Sequence, residues 1–146
     1  MNGFWGSVNS TLDNKGRINF PARFRRNLQP EDEDTLMLVR GTHPCISVYP
    51  LTSWRYLIED IRRKVQTERE FGLISRRLMY QAGEQKIDKQ GRLNLSADLI
   101  EYANLDSEIL IVGYQNKLEI WNPDKYQQFV EATETDYQNI VRDLDI

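Results

Sequence analysis

The sequence has almost none of the side chains that hold metals or form cross-links. Cys45 is the only cysteine and His43 the only histidine among the 146 residues. A single cysteine excludes a disulfide within the chain, and one cysteine with one histidine is too few for a Cys/His zinc site. We therefore expect no metal and no cofactor.

Long apolar runs are also missing. No stretch reaches the roughly 18 apolar residues that a membrane-spanning helix needs, and the start, MNGFWGSVNS, lacks the basic and apolar regions of a signal peptide. These absences predict a cytoplasmic protein with no membrane partner. With 146 residues, of which 40% are hydrophobic and 28% charged, the chain is long enough for one ordinary domain or two small modules around a shared core.

An excess of positive charge is the third feature that is lacking. The formal net charge is −3 at pH 7, which argues weakly against a general nucleic-acid binder. The charges are segregated, however. Residues 1–97 contain 16 lysines and arginines against 11 acidic residues, whereas residues 98–146 contain 3 against 11. An anion-binding surface is therefore expected in the first two thirds of the chain.

What the sequence does contain is an internal repeat. LDNKGRINFPARF at residues 12–24 is matched by IDKQGRLNLSADL at residues 87–99, an offset of 75 residues. The identical residues are Asp13, Gly16, Arg17, Asn19 and Ala22, which recur as Asp88, Gly91, Arg92, Asn94 and Ala97. Apolar matches continue beyond this stretch, so that a pattern of strand, turn, strand, short helix, two strands and longer helix indicates a duplicated module.

The repeat divides the chain into three segments. We assign residues 1–66 to the first module with its following helix, residues 67–82 to a connecting helix, and residues 83–146 to the second module with a C-terminal helix. Apolar residues recur at helical spacing from Tyr126 to Leu144, which predicts one long final helix. The apolar face of that helix has two alternatives, packing on its own chain or against a neighbouring subunit.

The centre of each repeat is interpreted as a stiff turn. Asp13 can accept hydrogen bonds from the backbone of its own turn, and Gly16 can supply a positive φ without a Cβ clash. Asp88 and Gly91 take the same places in the second copy. We assign these four residues a structural role and disfavour the alternative, an acid/base pair of aspartates, because each aspartate precedes a glycine in a matching turn.

A short helix is predicted after each turn, beginning at Pro21 in the first copy and after an N-cap at Ser96 in the second. The first turn and helix carry a cluster of cations, of which the second copy retains Arg92 alone. The cations of the first copy are Lys15, Arg17, Arg23, Arg25 and Arg26. Such a cluster can bind DNA phosphates, and arginine can also contact guanine. The alternative is a solvated, salt-bridged surface.

Arg17 and Arg92 occupy equivalent positions of the repeat, and each has two alternative roles. For Arg17 we favour contact with DNA over a structural salt bridge, because its turn displays it beside Lys15. For Arg92 we favour a structural role, because the neighbouring part of its copy is acidic, and DNA contact is the alternative.

Catalytic chemistry is not indicated. His43 and Cys45 lie two residues apart on a predicted strand segment and would face the same side, as in a nucleophile dyad. The sequence shows no third orienting group and no oxyanion loop, so a buried structural cysteine is the favoured interpretation. We expect no enzymatic activity and no small-molecule substrate.

The repeats and their surroundings resemble the MraZ family. The resemblance rests on Phe4 and Gly6, the stretch LDNKGRINFPARFR, the HPC stretch at residues 43–45, and IDKQGR in the second half, and it covers essentially the whole chain. The two DxxxR motifs of the family are matched at residues 13–17 and 88–92. The resemblance implies an AbrB-like swapped-hairpin fold, that is, a β-rich α+β chain whose duplicated modules form one small barrel with connecting and C-terminal helices.

The resemblance also implies a function. MraZ proteins bind short direct repeats in double-stranded DNA upstream of the operon for cell division and cell-wall synthesis, regulate that operon, and assemble as rings, here of about eight or more subunits. AbrB-like proteins contact DNA through arginines that match Arg17, Arg25 and Arg26. A nucleoid-associated homo-oligomer is therefore expected. The alternative is a protein-binding assembly module of antitoxin-like type with an incidental basic surface.

Overall fold

The computed structural model describes residues 3–146, whose helices and strands come in the same order twice. The first series consists of β1 (Ser7–Thr11), β2 (Arg17–Asn19), α1 (Ala22–Arg25), β3 (Thr35–Arg40), β4 (Ile46–Pro50), α2 (Leu51–Lys64) and α3 (Glu68–Gln81), with a 3-10 turn at Pro30–Asp32. The second consists of β5 (Gly83–Lys86), β6 (Arg92–Asn94), α4 (Ala97–Tyr102), β7 (Glu108–Tyr114), β8 (Lys117–Trp121), α5 (Pro123–Ala132) and α6 (Glu134–Leu144). The order of elements runs in parallel with the sequence repeat, and the division into modules stays a prediction.

The strands form two sheets that join the halves of the chain. A six-stranded antiparallel sheet has the order β1-β7-β8-β4-β3-β5, and β2 pairs with β6 in a separate two-stranded ribbon. The first strand of each series pairs with the third strand of the other, β1 with β7 and β5 with β3. The predicted β-rich α+β class is confirmed. The assignment to AbrB-like swapped-hairpin modules in one barrel stays a prediction.

One face of the β2–β6 ribbon closes the core. Ile18 and Leu93 are partners across the ribbon, and their exposed fractions are 1% and 0%. Their polar neighbours along each strand point the other way, as the period of two in a strand requires. The core around them draws apolar side chains from both halves, among them Phe20, Phe24, Leu36, Leu38, Leu95, Leu99, Ile109 and Ile111. This shared core fixes the positions of the two ends of the ribbon relative to each other.

Local signals set the starts of the helices. Ser96 Oγ accepts a hydrogen bond from the Leu99 N–H at 3.2 Å and caps α4, as predicted. Pro21 precedes α1 with φ of −59°, a value that suits the first turn of a helix. Thr67 and Glu70 form a capping box that starts α3. Each cap satisfies or removes backbone N–H groups that the helix leaves unpaired.

The prediction of one long C-terminal helix is wrong. α5 ends at Ala132 and α6 begins at Glu134, because Thr133 between them has φ of −106° and ψ of 7°. The Thr133 hydroxyl donates a hydrogen bond to the carbonyl of Phe129 at 2.7 Å, a local bond that competes with regular helix geometry. In residues 3–146 no helix has the length and apolar character needed to cross a membrane.

Candidate nucleic-acid interface

Turn 1, which we define as residues 13–17, is organised by Asp13. Its Oδ1 accepts hydrogen bonds from the N–H groups of Lys15 and Arg17, both at 2.9 Å, and its Oδ2 accepts one from Arg17 Nε at 2.8 Å. Gly16 has φ of +79°, which lies in the left-handed region that glycine adopts most easily. The DxxxR spacing therefore lets one carboxylate fix both the turn and the arginine side chain.

Turn 2, residues 88–92, repeats this structure around Asp88. Its Oδ1 accepts hydrogen bonds from the N–H groups of Gln90 and Arg92, both at 2.9 Å, and its Oδ2 accepts one from Arg92 Nε at 3.1 Å. Gly91 has φ of +78°. The backbone and the arginine orientation are thus the same in both turns.

The hydrogen bonds lower the pKa of both turn aspartates. The largest cause is the backbone N–H of Arg17 for Asp13 and that of Arg92 for Asp88, and the arginine side chains act in the same direction. Both carboxylates are therefore ionised at neutral pH and act as acceptors. A shared proton between them, as in a pair of catalytic acids, is not part of this arrangement.

Between the two turns, the ribbon presents a polar face to solvent. Across the ribbon Arg17 is the partner of Asn94, and Asn19 is the partner of Arg92. Because the intervening apolar residues face the core, all four polar side chains lie on the opposite face. The asparagines are exposed and the arginines are half-buried. The outward face of the ribbon thus carries two arginine–asparagine pairs in antiparallel arrangement.

The two arginines of this face differ in one contact. Arg92 Nη2 donates a hydrogen bond to Gln90 Oε1 at 2.6 Å. In turn 1 the residue equivalent to Gln90 is Lys15, whose side chain cannot accept a hydrogen bond. Within residues 3–146 the terminal amino groups of Arg17 therefore have no partner. Arg17 is therefore oriented by Asp13 and still free to bind a ligand, whereas Arg92 is engaged at both ends of its guanidinium group.

Each short helix lies beside the turn of the other copy. Phe20, just before α1, donates its N–H to the carbonyl of Gly91 in turn 2 at 2.8 Å. Leu95, just before α4, donates its N–H to the carbonyl of Gly16 in turn 1 at 2.7 Å. The predicted cationic cluster is consequently divided in space, with its turn residues beside α4 and its helix residues beside turn 2.

The three arginines around α1 have different surroundings. Arg23 Nη2 donates a hydrogen bond to the carbonyl of Trp5 at 2.7 Å, and Arg25 forms an ion pair with Asp34 at 3.0 Å. Arg26 is exposed and has no side-chain partner in the described part of the chain. Of the three, Arg26 is the one that can reach an anion without giving up another contact.

Three residues of this surface were not predicted from the sequence. Asn19 and Asn94 of the ribbon were not assigned, and Lys89 at the tip of turn 2 is exposed without a side-chain partner among residues 3–146. Lys89 was missed because the repeat aligns it with the uncharged Asn14. A comparison that starts from the cations of the first copy shows that Lys15 is replaced by Gln90, but not that a lysine is gained at position 89. The total charge of each turn, two cations in both, was the signal that could have found it.

His43 and Cys45 do not form a catalytic pair. Both lie in a bend between β3 and β4 and not on a strand, so the prediction for this segment is wrong. Cys45 is fully buried, and this burial raises the pKa of its thiol to about 12, which keeps it protonated and unreactive at neutral pH. The His43 ring packs against Phe129, with centroids 4.6 Å apart. Among residues 3–146 no three acidic, histidine or cysteine side chains are grouped as a metal site.

Comparison with known proteins gives one consistent result. The family model described as "MraZ protein, putative antitoxin-like" matches residues 4–74 and 78–144. The transcriptional regulator MraZ of Natranaerobius thermophilus is 36% identical over 141 residues, which are 97% of this chain and 96% of that protein. The transcriptional regulators MraZ of Lactobacillus johnsonii and Lactobacillus gasseri are 36% and 35% identical over 142 residues, with the same coverage. These relatives are named as regulators and not as enzymes. The chain belongs to the MraZ family.

Proposed function

We propose that this chain is a DNA-binding regulator of transcription that recognises short direct repeats upstream of the operon for cell division and cell-wall synthesis. It acts at the nucleoid as a ring-shaped homo-oligomer of about eight or more subunits. We call its DNA-binding part the head, defined as turn 1, turn 2, the β2–β6 ribbon and the helices α1 and α4.

The observation that carries the DNA-binding proposal is the outward face of the ribbon. A two-stranded ribbon fits the major groove, which is about 12 Å wide. Arginine can bind both O6 and N7 of guanine, and asparagine both N6 and N7 of adenine. The ribbon carries these two residue types on its solvent face, as Arg17 with Asn94 and Arg92 with Asn19, while its other face is anchored in the core by Ile18 and Leu93.

The position of Arg17 supports a role in recognition. Its Nε is held by Asp13 at 2.8 Å, so the guanidinium group is oriented before any ligand arrives. Side chains that are already in place lose less conformational entropy on binding. The same carboxylate carries a negative charge close to the arginine, so a phosphate or a guanine must approach from the side of the terminal amino groups. Within residues 3–146 these terminal amino groups have no partner.

The oligomeric part of the proposal is supported by α6. Tyr137, Ile140 and Leu144 are spaced as one helix face, and their exposed fractions are 58%, 57% and 63%. A contiguous apolar stripe of this kind is unfavourable in water and is typical of an interaction surface. If this stripe packs against a neighbouring copy of the chain, several heads are linked in one assembly. Linked heads on regularly spaced repeats bind more tightly because each bound head raises the effective concentration of the next.

DNA binding is tested by titrating a fluorescent duplex from the region upstream of the protein's own operon at several salt concentrations. We expect the full-length protein to bind this duplex more tightly than a scrambled one, to weaken steeply with salt, and to lose affinity in the Arg17→Ala variant. Equal, weak binding of both proteins to both duplexes would contradict the proposal. Recovery of one stoichiometric protein partner in its place would favour the antitoxin-like alternative.

Assembly is tested with one substitution on the apolar stripe and one beside it. Ile140→Glu should lower the mass of the assembly in sedimentation and should weaken binding to a duplex with four repeats more than binding to one repeat. Asn139→Glu, on another side of α6 and next to Arg142, should leave both unchanged. An unchanged mass for Ile140→Glu would contradict a role of this stripe in assembly.

A further inference from the structure

We propose that the head consists of two unequal half-sites, each built from both halves of the chain, and that their inequality sets the orientation of the protein on DNA. Half-site A is turn 2 with α1, and half-site B is turn 1 with α4. In half-site A the residues Lys89 and Arg26 anchor the phosphate backbone. This inference rests on the proposed DNA-binding function, and it assigns Lys89 and Glu101 roles that the DxxxR motifs do not imply.

The pairing of β2 with β6 creates the two half-sites. The strands are antiparallel, with Arg17 opposite Asn94 and Asn19 opposite Arg92. The chain that leaves β2 therefore arrives beside the start of β6, which is turn 2. The chain that leaves β6 arrives beside turn 1 in the same way. Residues that are 75 positions apart in the sequence thus become neighbours, and charges must be compared within each half-site and not within each repeat.

Two equivalent side chains line the two half-sites. A Cβ built on Gly91 would lie 3.7 Å from Arg25 Nη1, and a Cβ built on Gly16 would lie 3.5 Å from Ile100 Cδ1. Arg25 and Ile100 are equivalent in the repeat. The same position beside a turn is therefore an arginine, ion-paired with Asp34, in half-site A and an apolar side chain in half-site B.

The next position of each helix increases the difference. Arg26 follows Arg25 in half-site A, and Glu101 follows Ile100 in half-site B, and both are exposed. The turns themselves are balanced, because the exposed Lys89 of half-site A and Lys15 of half-site B both have no side-chain partner among residues 3–146. The helices therefore carry the difference. A phosphate backbone that runs past both half-sites is attracted by Lys89 and Arg26 at one end, whereas at the other end the attraction of Lys15 is opposed by Glu101.

A third pair of equivalent residues lies away from the turns. Arg23 donates a hydrogen bond to the Trp5 carbonyl, and Asp98 borders a shallow groove with Arg40 and Tyr80. This pair also changes sign between the copies, but its members contribute only to the field at longer range. The difference between the half-sites therefore depends on the residues next to the turns.

The consequence is a preferred direction on DNA. The backbone of the ribbon and the turns has an approximate two-fold arrangement, so by shape alone the head fits a duplex in either of two orientations. The unequal charges favour the orientation in which half-site A lies closest to the phosphate backbone. Direct repeats require the same orientation at every repeat, and a head with equal half-sites would not supply it.

The anchoring role is tested by affinity measurements on a duplex that carries one repeat. Lys89→Ala and Arg26→Ala should each raise Kd by about three- to tenfold and reduce the slope of log Kd against log salt by about one. Lys125→Ala, an exposed lysine of α5, is the matched control and should leave both unchanged. Circular dichroism confirms that each variant is folded.

These measurements separate the inference from the proposed function. If the wild-type protein does not distinguish the repeat from a scrambled duplex, the proposed function fails. If the wild-type protein does distinguish them and Arg17→Ala weakens binding, but Lys89→Ala binds like the wild type, the function stands and the anchoring role of half-site A is overturned.

Orientation is tested by tethered cleavage on the same duplex. Asn14→Cys in turn 1 and Gln90→Cys in turn 2 each introduce one exposed thiol without removing a charge, and the native Cys45 is fully buried. An iron chelate attached to residue 14 should cleave near one end of the repeat, and one attached to residue 90 near the other end. The added change Glu101→Arg should make each probe cleave at both ends. Equal cleavage at both ends without that change would overturn the inference.

Discussion

Turn 1 and turn 2 have the same backbone and different neighbours. Asp13 and Asp88 make matching sets of hydrogen bonds, and Gly16 and Gly91 have φ values of +79° and +78°. Around this common frame, turn 1 borders the apolar and acidic side of α4, whereas turn 2 borders the arginines of α1. The interactions that fix the turns lie within five residues of sequence, and the ones that differ come from the other half of the chain.

This comparison indicates where function has diverged. A turn held by its own carboxylate does not depend on the charge of its surroundings, so the surface residues can change without loss of the fold. The contact between Arg92 and Gln90 is one such change. The opposite charges of the equivalent residues Arg26 and Glu101 are another. A duplicated frame with unequal surfaces can bind a partner that is not symmetric, such as a DNA repeat bound in one orientation.

The largest effect is expected when the shared frame itself is broken. Gly16→Val and Gly91→Val should each lower the free energy of unfolding by at least about 1–2 kcal/mol, because a β-branched residue is strained at a positive φ. The loss should be larger at Gly16, where a Cβ would lie 3.0 Å from the backbone oxygen of Leu95, than at Gly91, where the nearest atom is the flexible end of Arg25 at 3.7 Å.

Denaturant unfolding of the two glycine variants measures this difference. Gly83→Ala is the control, because among residues 3–146 its added Cβ has no atom within 4 Å other than those of its chain neighbours, and its φ is not in the left-handed region. Its effect should stay within about 0.5 kcal/mol. If Gly16→Val is no less stable than Gly91→Val, the contact with Leu95 does not constrain turn 1.

A smaller effect, on DNA affinity and not on folding, should separate the two arginines. Arg17→Ala should cost about 1–3 kcal/mol of binding free energy if it contacts a base, whereas Arg92→Ala should cost less because its guanidinium group already binds Gln90. Gln90→Lys copies turn 1 and should make the loss from Arg92→Ala approach that from Arg17→Ala. Equal losses in the parent protein, with both variants folded, would contradict the functional difference between the turns.

The sequence alone predicted those parts of the fold that depend on nearby residues. The order of strands and helices follows from the repeat, and the start of α4 follows from the hydroxyl of Ser96. The break at Thr133 was missed because the apolar spacing from Tyr126 to Leu144 continues through it. The sequence pattern does not show that the Thr133 hydroxyl donates a hydrogen bond to the carbonyl four residues earlier.

The candidate site was less predictable, because it depends on which half of the chain lies beside which. Arg25 and Arg26 were grouped with Lys15 and Arg17 on the basis of distance along the sequence. The hydrogen bond from Phe20 to Gly91 moves them beside turn 2. No local pattern announces a pairing between strands that are 75 residues apart, since a hairpin within each repeat would satisfy the same alternation of apolar and polar residues.

The smallest difference between the turns is expected in acid. The pKa of Asp13 and that of Asp88 lie below the ordinary value of 3.8 in the folded protein. Each carboxylate therefore stabilises the fold fully above that value, and its contribution is lost as the pH falls through the lowered pKa. We expect the free energy of unfolding to decline below pH 3.8 in the wild-type protein, and less steeply in Asp13→Asn and in Asp88→Asn.

Because the two sets of hydrogen bonds match, with Nε distances of 2.8 and 3.1 Å, each single variant should remove a similar share of the acid sensitivity, and the double variant should show the flattest profile. Unfolding titrations from about pH 6 down to about pH 2 measure these slopes, with Asp106→Asn, which makes none of these turn contacts, as the control. A dominant effect from one aspartate alone would show that the turns differ in folding as well as on DNA. Similar effects, alongside unequal losses from Arg17→Ala and Arg92→Ala, would locate the divergence of the two copies in their surfaces and not in the frame that holds them.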